Sequence, residues 1–221
     1  MAKIAVVAGA TGLTGSTLLR QLAGDTRFDR VVALVRSAKR EMPTRVESVV
    51  VDFEVLANGP EAITIDHAVS DELVVFCCLG TTIKVAGSQA AFRRVDFDYV
   101  VAVGRWAKAQ HAVHFGLISA LGASAKSSVF YTRTKGEAED TVRALGLCSV
   151  LIVRPSFIDG DRTESRPGES VAIRFARGIS PLLLGPLRRY RVVTAEAIAA
   201  SLLAAATSPV AGVTVTESEA I

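Results

Sequence analysis

The stretch VVAGATGLTG, residues 6–15, decides the fold of this chain. An apolar run ends at Ala8, glycines follow at positions 9, 12 and 15, and STLLRQLA continues with helical spacing. This order of strand, glycine turn and helix is typical of a turn that holds the diphosphate of a dinucleotide. Gly9 would permit the sharp turn, Gly12 the close approach of the phosphates, and Gly15 the close packing of helix on strand. The structural alternative, a plain turn between a strand and a helix, needs only one glycine.

Short apolar runs alternate with stretches of helical spacing along most of the chain, and this pattern predicts βαβ units. The predicted strands are Ile4–Ala8, Val31–Val35, Ser48–Val51, Leu73–Cys78, Val113–Ile118, Ser149–Val153 and Val213–Val215. The predicted helices are Leu13–Ala23, Gln89–Ala109, Lys135–Leu145 and Ala195–Ala206. We therefore expect an α/β fold: a single Rossmann domain over residues 1–221, doubly wound, with a parallel sheet and helices on both faces. A polar loop and a segment broken by prolines predict a small lid at about 159–190.

Composition narrows the class of protein. The chain has 221 residues, half of them apolar, and a net charge of +3 without blocks of like charge. No nucleic-acid partner is indicated, and no uncharged run reaches the ~18 residues needed for stable membrane insertion. The start of the chain lacks the pattern of a secretory signal, so a cytoplasmic location is expected. The three histidines are expected at surface or strand-edge positions and the three cysteines in the core, reduced; neither set has the spacing of a metal site.

The end of the second predicted strand indicates which nucleotide is bound. NAD-binding proteins place a carboxylate there for the ribose 2′-hydroxyl, but this chain reads ALVRSAKR, with Arg36, Lys39 and Arg40. Because arginine and lysine can donate charge-assisted hydrogen bonds to a 2′-phosphate, we expect NADP(H) rather than NAD(H). The cofactor-binding residues predicted around the crevice are Gly9, Thr11, Gly12, Leu13, Gly15, Arg36, Leu79, Gly80, Thr81, Tyr131 and Lys135.

The sequence FYTRTKGEAED places Tyr131 and Lys135 four residues apart, on one face if the stretch is helical. An ammonium beside a phenol favours the phenolate, which suits the tyrosine to proton transfer. Ser119 ends the fifth predicted strand and could hydrogen-bond a substrate carbonyl that Tyr131 protonates. Three serines nearer the tyrosine remain alternatives to it: Ser124, Ser127 and Ser128.

Beyond these short motifs, CCLGTTIKVAGSQAAFRRVDFDYV, LISALGAS, YTRTKGEAE and RPSFIDGDRTESRPGE resemble the Tat-interacting-protein-like oxidoreductases, which are atypical short-chain dehydrogenase/reductases. The resemblance implies a Rossmann fold that binds NADPH, with Ser119, Tyr131 and Lys135 in the catalytic places. It also implies that the cofactor-binding residues Asp52 and Phe53 lie at the adenine edge and Pro155 near the nicotinamide. One departure concerns the asparagine that many short-chain reductases use in a proton relay. The one asparagine here, Asn58, precedes the relevant helix. Asp96 lies on that helix and is either a substitute or a solvated or ion-paired carboxylate.

Two functions follow from these observations. The chain is either an NADPH-dependent oxidoreductase that reduces a small carbonyl or quinone, or an NADP(H)-binding regulatory or sensor protein without substantial turnover. Retention of the serine, tyrosine and lysine favours chemistry, whereas the missing asparagine and the short substrate region favour the sensor. A small-molecule substrate is expected, and a homodimer or a protein partner is compatible with the apolar segment 179–187. The charged loop 161–169 either is solvated or forms internal ion pairs around the substrate entrance.

Overall fold

The computed structural model describes residues 1–37, 41–59, 63–159 and 185–221. The strands are β1 (Lys3–Ala8), β2 (Arg30–Val35), β3 (Val46–Val50), β4 (Glu72–Cys77), β5 (His114–Ile118), β6 (Ser149–Arg154), β7 (Ile158–Asp159), β8 (Val193–Thr194) and β9 (Gly212–Glu217). Seven of them form one parallel sheet in the order β3-β2-β1-β4-β5-β6-β9, and β7 pairs with β8 separately. Because β2 and β4 lie on opposite sides of β1, the strand order reverses there, and a crevice opens at the carboxyl ends of β1 and β4.

Helices cover both faces of this sheet. They are α1 (Leu13–Gly24), α2 (Phe53–Asn58), α3 (Ile83–Ala86), α4 (Gln89–Arg93), a π-helical turn (Arg94–Asp98), α5 (Tyr99–Ala109), α6 (Phe130–Ala144) and α7 (Ala195–Thr207), with 3₁₀ turns at Gly185–Tyr190 and Ser218–Ala220. Along β1, Ile4 and Val6 face the layer that contains α2, α5 and α6, while Ala5 and Val7 face α1 and α7. Burial on both faces explains why the strands are continuous apolar runs. The predicted Rossmann architecture is confirmed.

Helix α6 starts five residues before the predicted start at Lys135. Its first turn contains aromatic and β-branched residues, which are weak helix formers in isolation. Packing compensates for this weakness, because the rings of Phe130 and Tyr131 both contact Phe92, with ring centroids 5.9 and 5.4 Å apart. Both Tyr131 and Lys135 therefore belong to one helix.

The predicted single helix Gln89–Ala109 is divided in the structure. Helix α4 leads into the π-helical turn, and α5 follows that turn directly, so the three helical segments are contiguous in sequence. A π turn holds one more residue than an α turn and is found mostly as a single turn at functional sites. Asp96 lies in the middle of this turn and is fully buried.

The structure corrects two predictions about side-chain burial. His114, the first residue of β5, is buried rather than at the surface, and its Nδ1 is 2.9 Å from the hydroxyl of Ser149 on β6. Cys148 is exposed rather than in the core, whereas Cys77 is buried as expected. Each of the three cysteines is free.

The predicted lid falls almost entirely outside the described residues, as does the charged loop 161–169. Its described ends are β7 and the 3₁₀ turn Gly185–Tyr190. Within the described ranges, no helix is long and apolar enough to cross a membrane. Among the same residues, no cluster of three or more histidine, cysteine, aspartate or glutamate side chains could hold a metal ion.

Candidate active site

The glycine turn after β1 is built for close backbone contact. Gly9 has φ +77°, and a Cβ there would lie 2.5 Å from the carbonyl carbon of Cys78. A Cβ at Gly15 would overlap the carbonyl of Gly9, and one at Gly12 would lie 3.3 Å from the same oxygen. Each predicted glycine therefore occupies a place where a side chain would crowd the backbone.

The first turn of α1 presents an environment suited to an anion. The helix begins after Gly12, which has no side chain to cap the first N–H groups, and its first turn contains no acidic residue. These N–H groups and the helix dipole together favour a phosphate. Thr11 beside the turn is exposed and Leu13 is half-buried. The turn thus fits the diphosphate of a dinucleotide.

The segment after β4 lies directly beside this turn. The N–H of Cys78 donates to the carbonyl of Ala8 at 2.8 Å, so the two strands stay paired up to the crevice. Leu79 and Thr81 are half-buried, while Gly80 is exposed. The structure therefore brings these three predicted residues to the same crevice as the glycine turn.

Lys135 is buried on α6 and points at the base of the segment after β4. Its Nζ is 2.7 Å from Oδ1 of Asp96, and a Cβ added to Gly80 would lie 3.5 Å from the same Nζ. Burial acts to lower the pKa of Lys135, but the interaction with the Asp96 carboxylate, and to a smaller extent with Tyr131, outweighs it and raises that pKa above its ordinary value. The lysine is therefore a fixed cation next to Tyr131.

Asp96 is a candidate residue that the sequence locates on the helix after β4 without deciding its role. Its second oxygen, Oδ2, accepts the N–H of Thr81 at 2.9 Å. The ion-paired alternative for Asp96 is the one that the structure shows, because its carboxylate is inaccessible to solvent. The available signal was an acidic residue in the helix that faces the tyrosine and lysine.

Ser119 lies at the end of β5 as predicted, but its hydroxyl is buried and faces Glu139 on α6. It helps to lower the pKa of Glu139, although its geometry falls short of a full hydrogen bond. The three alternative serines lie in the loop before α6. Ser124 accepts the N–H of Lys126, the hydroxyl of Ser127 lies 2.7 Å from that of Thr132, and Ser128 is exposed.

The predicted residues at the adenine end lie along one rim of the sheet. Arg36 follows β2 and is exposed, whereas Lys39 and Arg40 lie outside the described residues. Asp52 is the N-cap of α2, where Oδ1 accepts the N–H of Glu54 at 2.8 Å. The ring of Phe53 is buried against Tyr99 rather than open to the crevice.

Pro155 is buried immediately after β6. Its carbonyl accepts the N–H of Leu121 at 2.9 Å, which joins the end of β6 to the loop after β5. This contact places Pro155 at the carboxyl end of the sheet, the side on which the glycine turn lies.

The chain is similar to known proteins and matches a nucleotide-binding family model. Residues 9–179 match the family model described as NAD(P)H-binding. The chain is 39% identical to Protein HTATIP2 of Rattus norvegicus over 176 residues, which cover 78% of this chain and 70% of that protein. It is 34% identical to Protein fmp52, mitochondrial, of Emericella nidulans over 179 residues, 80% of this chain and 75% of that protein.

Solved structures show the same fold at low sequence identity. MoeE5 in complex with UDP-glucose and NAD aligns with a TM-score of 0.66 at 18% identity, covering 96% of this chain and 74% of that one. The Bordetella bronchiseptica enzyme WbmH in complex with NAD+ aligns with a TM-score of 0.66 at 16% identity, covering 99% and 76%.

The names of the fungal relatives correct one prediction. Several of them are called mitochondrial, which contradicts a purely cytoplasmic location, and that prediction does not stand. The family itself is established by the match over most of the chain and by the identity to HTATIP2. The chain belongs to the NAD(P)H-binding family and is a relative of HTATIP2.

Proposed function

We propose that this protein is an NADPH-dependent oxidoreductase that reduces a small carbonyl or quinone, with Tyr131 as the proton donor. One observation carries the proposal: a buried, charged lysine lies one helical turn from a half-buried tyrosine, beside the exposed Gly80 of the crevice. NADPH, when bound, supplies the hydride. The tyrosine hydroxyl supplies the proton to the substrate oxygen, and general acids of this kind contribute about 10²- to 10⁴-fold to the rate.

The binding roles follow from the geometry of the turn and of the rim. The glycine turn and the start of α1 would hold the diphosphate, because Gly12 provides no side-chain cap for the first N–H groups of the helix. Arg36, which is exposed at the end of β2, would contact the 2′-phosphate and favour NADP(H) over NAD(H). Lys135 would hold the hydroxyls of the nicotinamide ribose while its charge acts on Tyr131.

Ser119 is the proposed group that orients the substrate carbonyl. For this role its hydroxyl must rotate away from Glu139 and towards the crevice, a change of side-chain rotamer at the end of β5. Substrate binding would have to supply the free energy for that rotation.

The test is steady-state oxidation of NADPH with a panel of small aldehydes and quinones. Y131F should lose at least about 10²-fold in kcat while its affinity for NADPH, measured by calorimetry, stays within about twofold of the original protein. The matched control is Y99F, because the hydroxyl of Tyr99 donates to Glu54 of α2. NADPH binding without turnover of any substrate would replace this proposal with the sensor function.

A further inference from the structure

The side chain of Asp96 joins two parts of the crevice that are distant in sequence. One carboxylate oxygen contacts the ammonium of Lys135 at 2.7 Å, and the other accepts the N–H of Thr81 at 2.9 Å. The exposed fraction of the Lys135 side chain is 7%, and that of Asp96 is zero. Direct contact at this distance leaves no room for a water molecule between carboxylate and ammonium.

Burying an ion pair of this kind costs desolvation free energy, and burying one of the two charges without its partner costs more. The ionisable groups that act on Lys135 come from three elements: Asp96 from the π-helical turn, Tyr131 from α6, and Cys77 from the end of β4. Burial raises the pKa of the Cys77 thiol to about 12, so this group is neutral at physiological pH. Asp96 is therefore the anion that keeps Lys135 charged.

We infer that Asp96 is a positioning residue of the reductase site, which fixes the Lys135 ammonium for the cofactor and ties it to the backbone at Thr81. The inference rests on the proposed function and assigns to a carboxylate the place for which other reductases use an asparagine. The ammonium has three N–H groups and pairs with Asp96 by direct ionic contact. N–H groups that are not directed at Asp96 can serve the ribose hydroxyls and Tyr131.

The experiment compares D96N with the original protein and with D98N. Asparagine preserves size and an acceptor for the Thr81 N–H but removes the charge. D98N makes the same chemical change in the same π-helical turn, at a partly exposed carboxylate that pairs with Arg94. The affinity of each protein for NADPH is measured by calorimetry from about pH 7 to about pH 10.

Without its counter-ion, buried Lys135 should lose its proton several pH units lower than in the original protein. The NADPH dissociation constant of D96N should then rise by up to about tenfold per pH unit across part of this range, relative to the original protein. D98N should follow the original protein throughout. A merely structural role for Asp96 would weaken the fold without creating this pH dependence.

A second readout needs no cofactor. In D96N the folded state would hold Lys135 with a pKa below that of the unfolded chain, so stability should rise as pH increases through this range. In the original protein the folded pKa is raised, and the contribution of Lys135 is constant until the pH passes about 10.5. If D96N does not fold, NMR of labelled lysine side chains in the original protein, assigned with K135R, should show Lys135 protonated up to that pH.

The outcomes separate the two proposals. Equal pH dependence of NADPH affinity in D96N and the original protein overturns the inference and leaves the proposed function intact. A lysine that titrates below about pH 9 in the original protein also overturns it. If the original protein binds no NADPH at any pH, the proposed function fails and the role of Asp96 toward the cofactor fails with it.

Discussion

Glu139 accepts two hydrogen bonds from Arg154, at 3.0 Å from Nε and 2.6 Å from Nη2, and these link α6 to the end of β6. Arg143 donates a third at 2.9 Å. Burial acts to raise the pKa of Glu139, but the hydrogen bonds from Arg154 and Arg143, helped by the nearby hydroxyl of Ser119, hold it below its ordinary value. The network fixes α6, and with it Tyr131 and Lys135, against the sheet.

E139Q should lower the free energy of unfolding by about 3 kcal/mol, because it leaves the two arginines without their shared buried anion. Urea denaturation at neutral pH measures the loss. The control is E137Q, since Glu137 lies on the same helix and pairs with Arg93 near the surface, where a change below about 1 kcal/mol is expected. Equal losses in the two variants would contradict the structural role of the network.

The lowered pKa of Glu139 should make the stability of the folded protein depend on pH in the acid range. Its folded pKa is below the unfolded value of 4.5, so its stabilising contribution is complete above that pH. The contribution is lost as the pH falls through the folded pKa. In E139Q, stability should therefore fall less steeply on acidification than in the original protein.

His114 predicts a second pH dependence, at higher pH. Burial, together with the charge of Lys3, lowers its pKa to about 4 from 6.5. Between these two pKa values His114 is protonated in the unfolded chain but neutral in the folded chain. The free energy of unfolding should therefore fall by about 3 kcal/mol as the pH decreases from about 6.5 to about 4.

H114Q should remove this slope while keeping an amide partner for Ser149. The control is H111N, because His111 is exposed and has φ +55°, a conformation that asparagine tolerates. Denaturation curves at a series of pH values measure the effect. An unchanged slope in H114Q would show that His114 is not the responsible group.

G9A should abolish NADPH binding and destabilise the protein by at least about 1–3 kcal/mol, because alanine is strained at φ +77° and its Cβ would collide with Cys78. Calorimetry and urea denaturation measure the two effects. G24A is the control: a Cβ at the end of α1 meets open space, so stability should be unchanged or slightly higher. NADPH binding by a folded G9A protein would refute the proposed diphosphate site.

R36A should weaken NADPH binding by about 10- to 150-fold, the loss expected for one charge-assisted hydrogen bond to a phosphate. NADH lacks the 2′-phosphate, so its affinity should change little and serves as the internal control. Titration of both nucleotides into both proteins measures the ratio. Equal losses of affinity for NADPH and NADH would mean that Arg36 does not contact the 2′-phosphate.

The sequence predicts the sheet and the glycine turn well, because both depend on local patterns. Strands such as β1 are apolar on both faces, and the three glycines lie where the backbone itself is crowded. The start of α6 was not predictable in this way, since Phe130 and Tyr131 enter a helix only through contact with the distant Phe92.

In the candidate site, too, the sequence predicts the features that depend on local spacing but not those that depend on distant contacts. The spacing of Tyr131 and Lys135 can be seen in the local sequence. The pairing of Lys135 with Asp96 depends on a π-helical turn, and the spacing of apolar residues does not predict such a turn. The hydroxyl of Ser119 faces Glu139, which Arg154 holds in place, so its surroundings come from two other elements. The burial of His114 follows from the position of β5 inside the sheet rather than from its neighbours in sequence.

The contact between Gly9 and Cys78 also limits how the protein can diversify. The backbones of the two residues are in close contact there, and the N–H of Cys78 donates a hydrogen bond to the carbonyl of Ala8. Mutation cannot reshape the floor of the crevice without separating two central strands. New nucleotide or substrate preferences must therefore arise at the rim, where exposed side chains such as Arg36 can be exchanged at little cost to the fold.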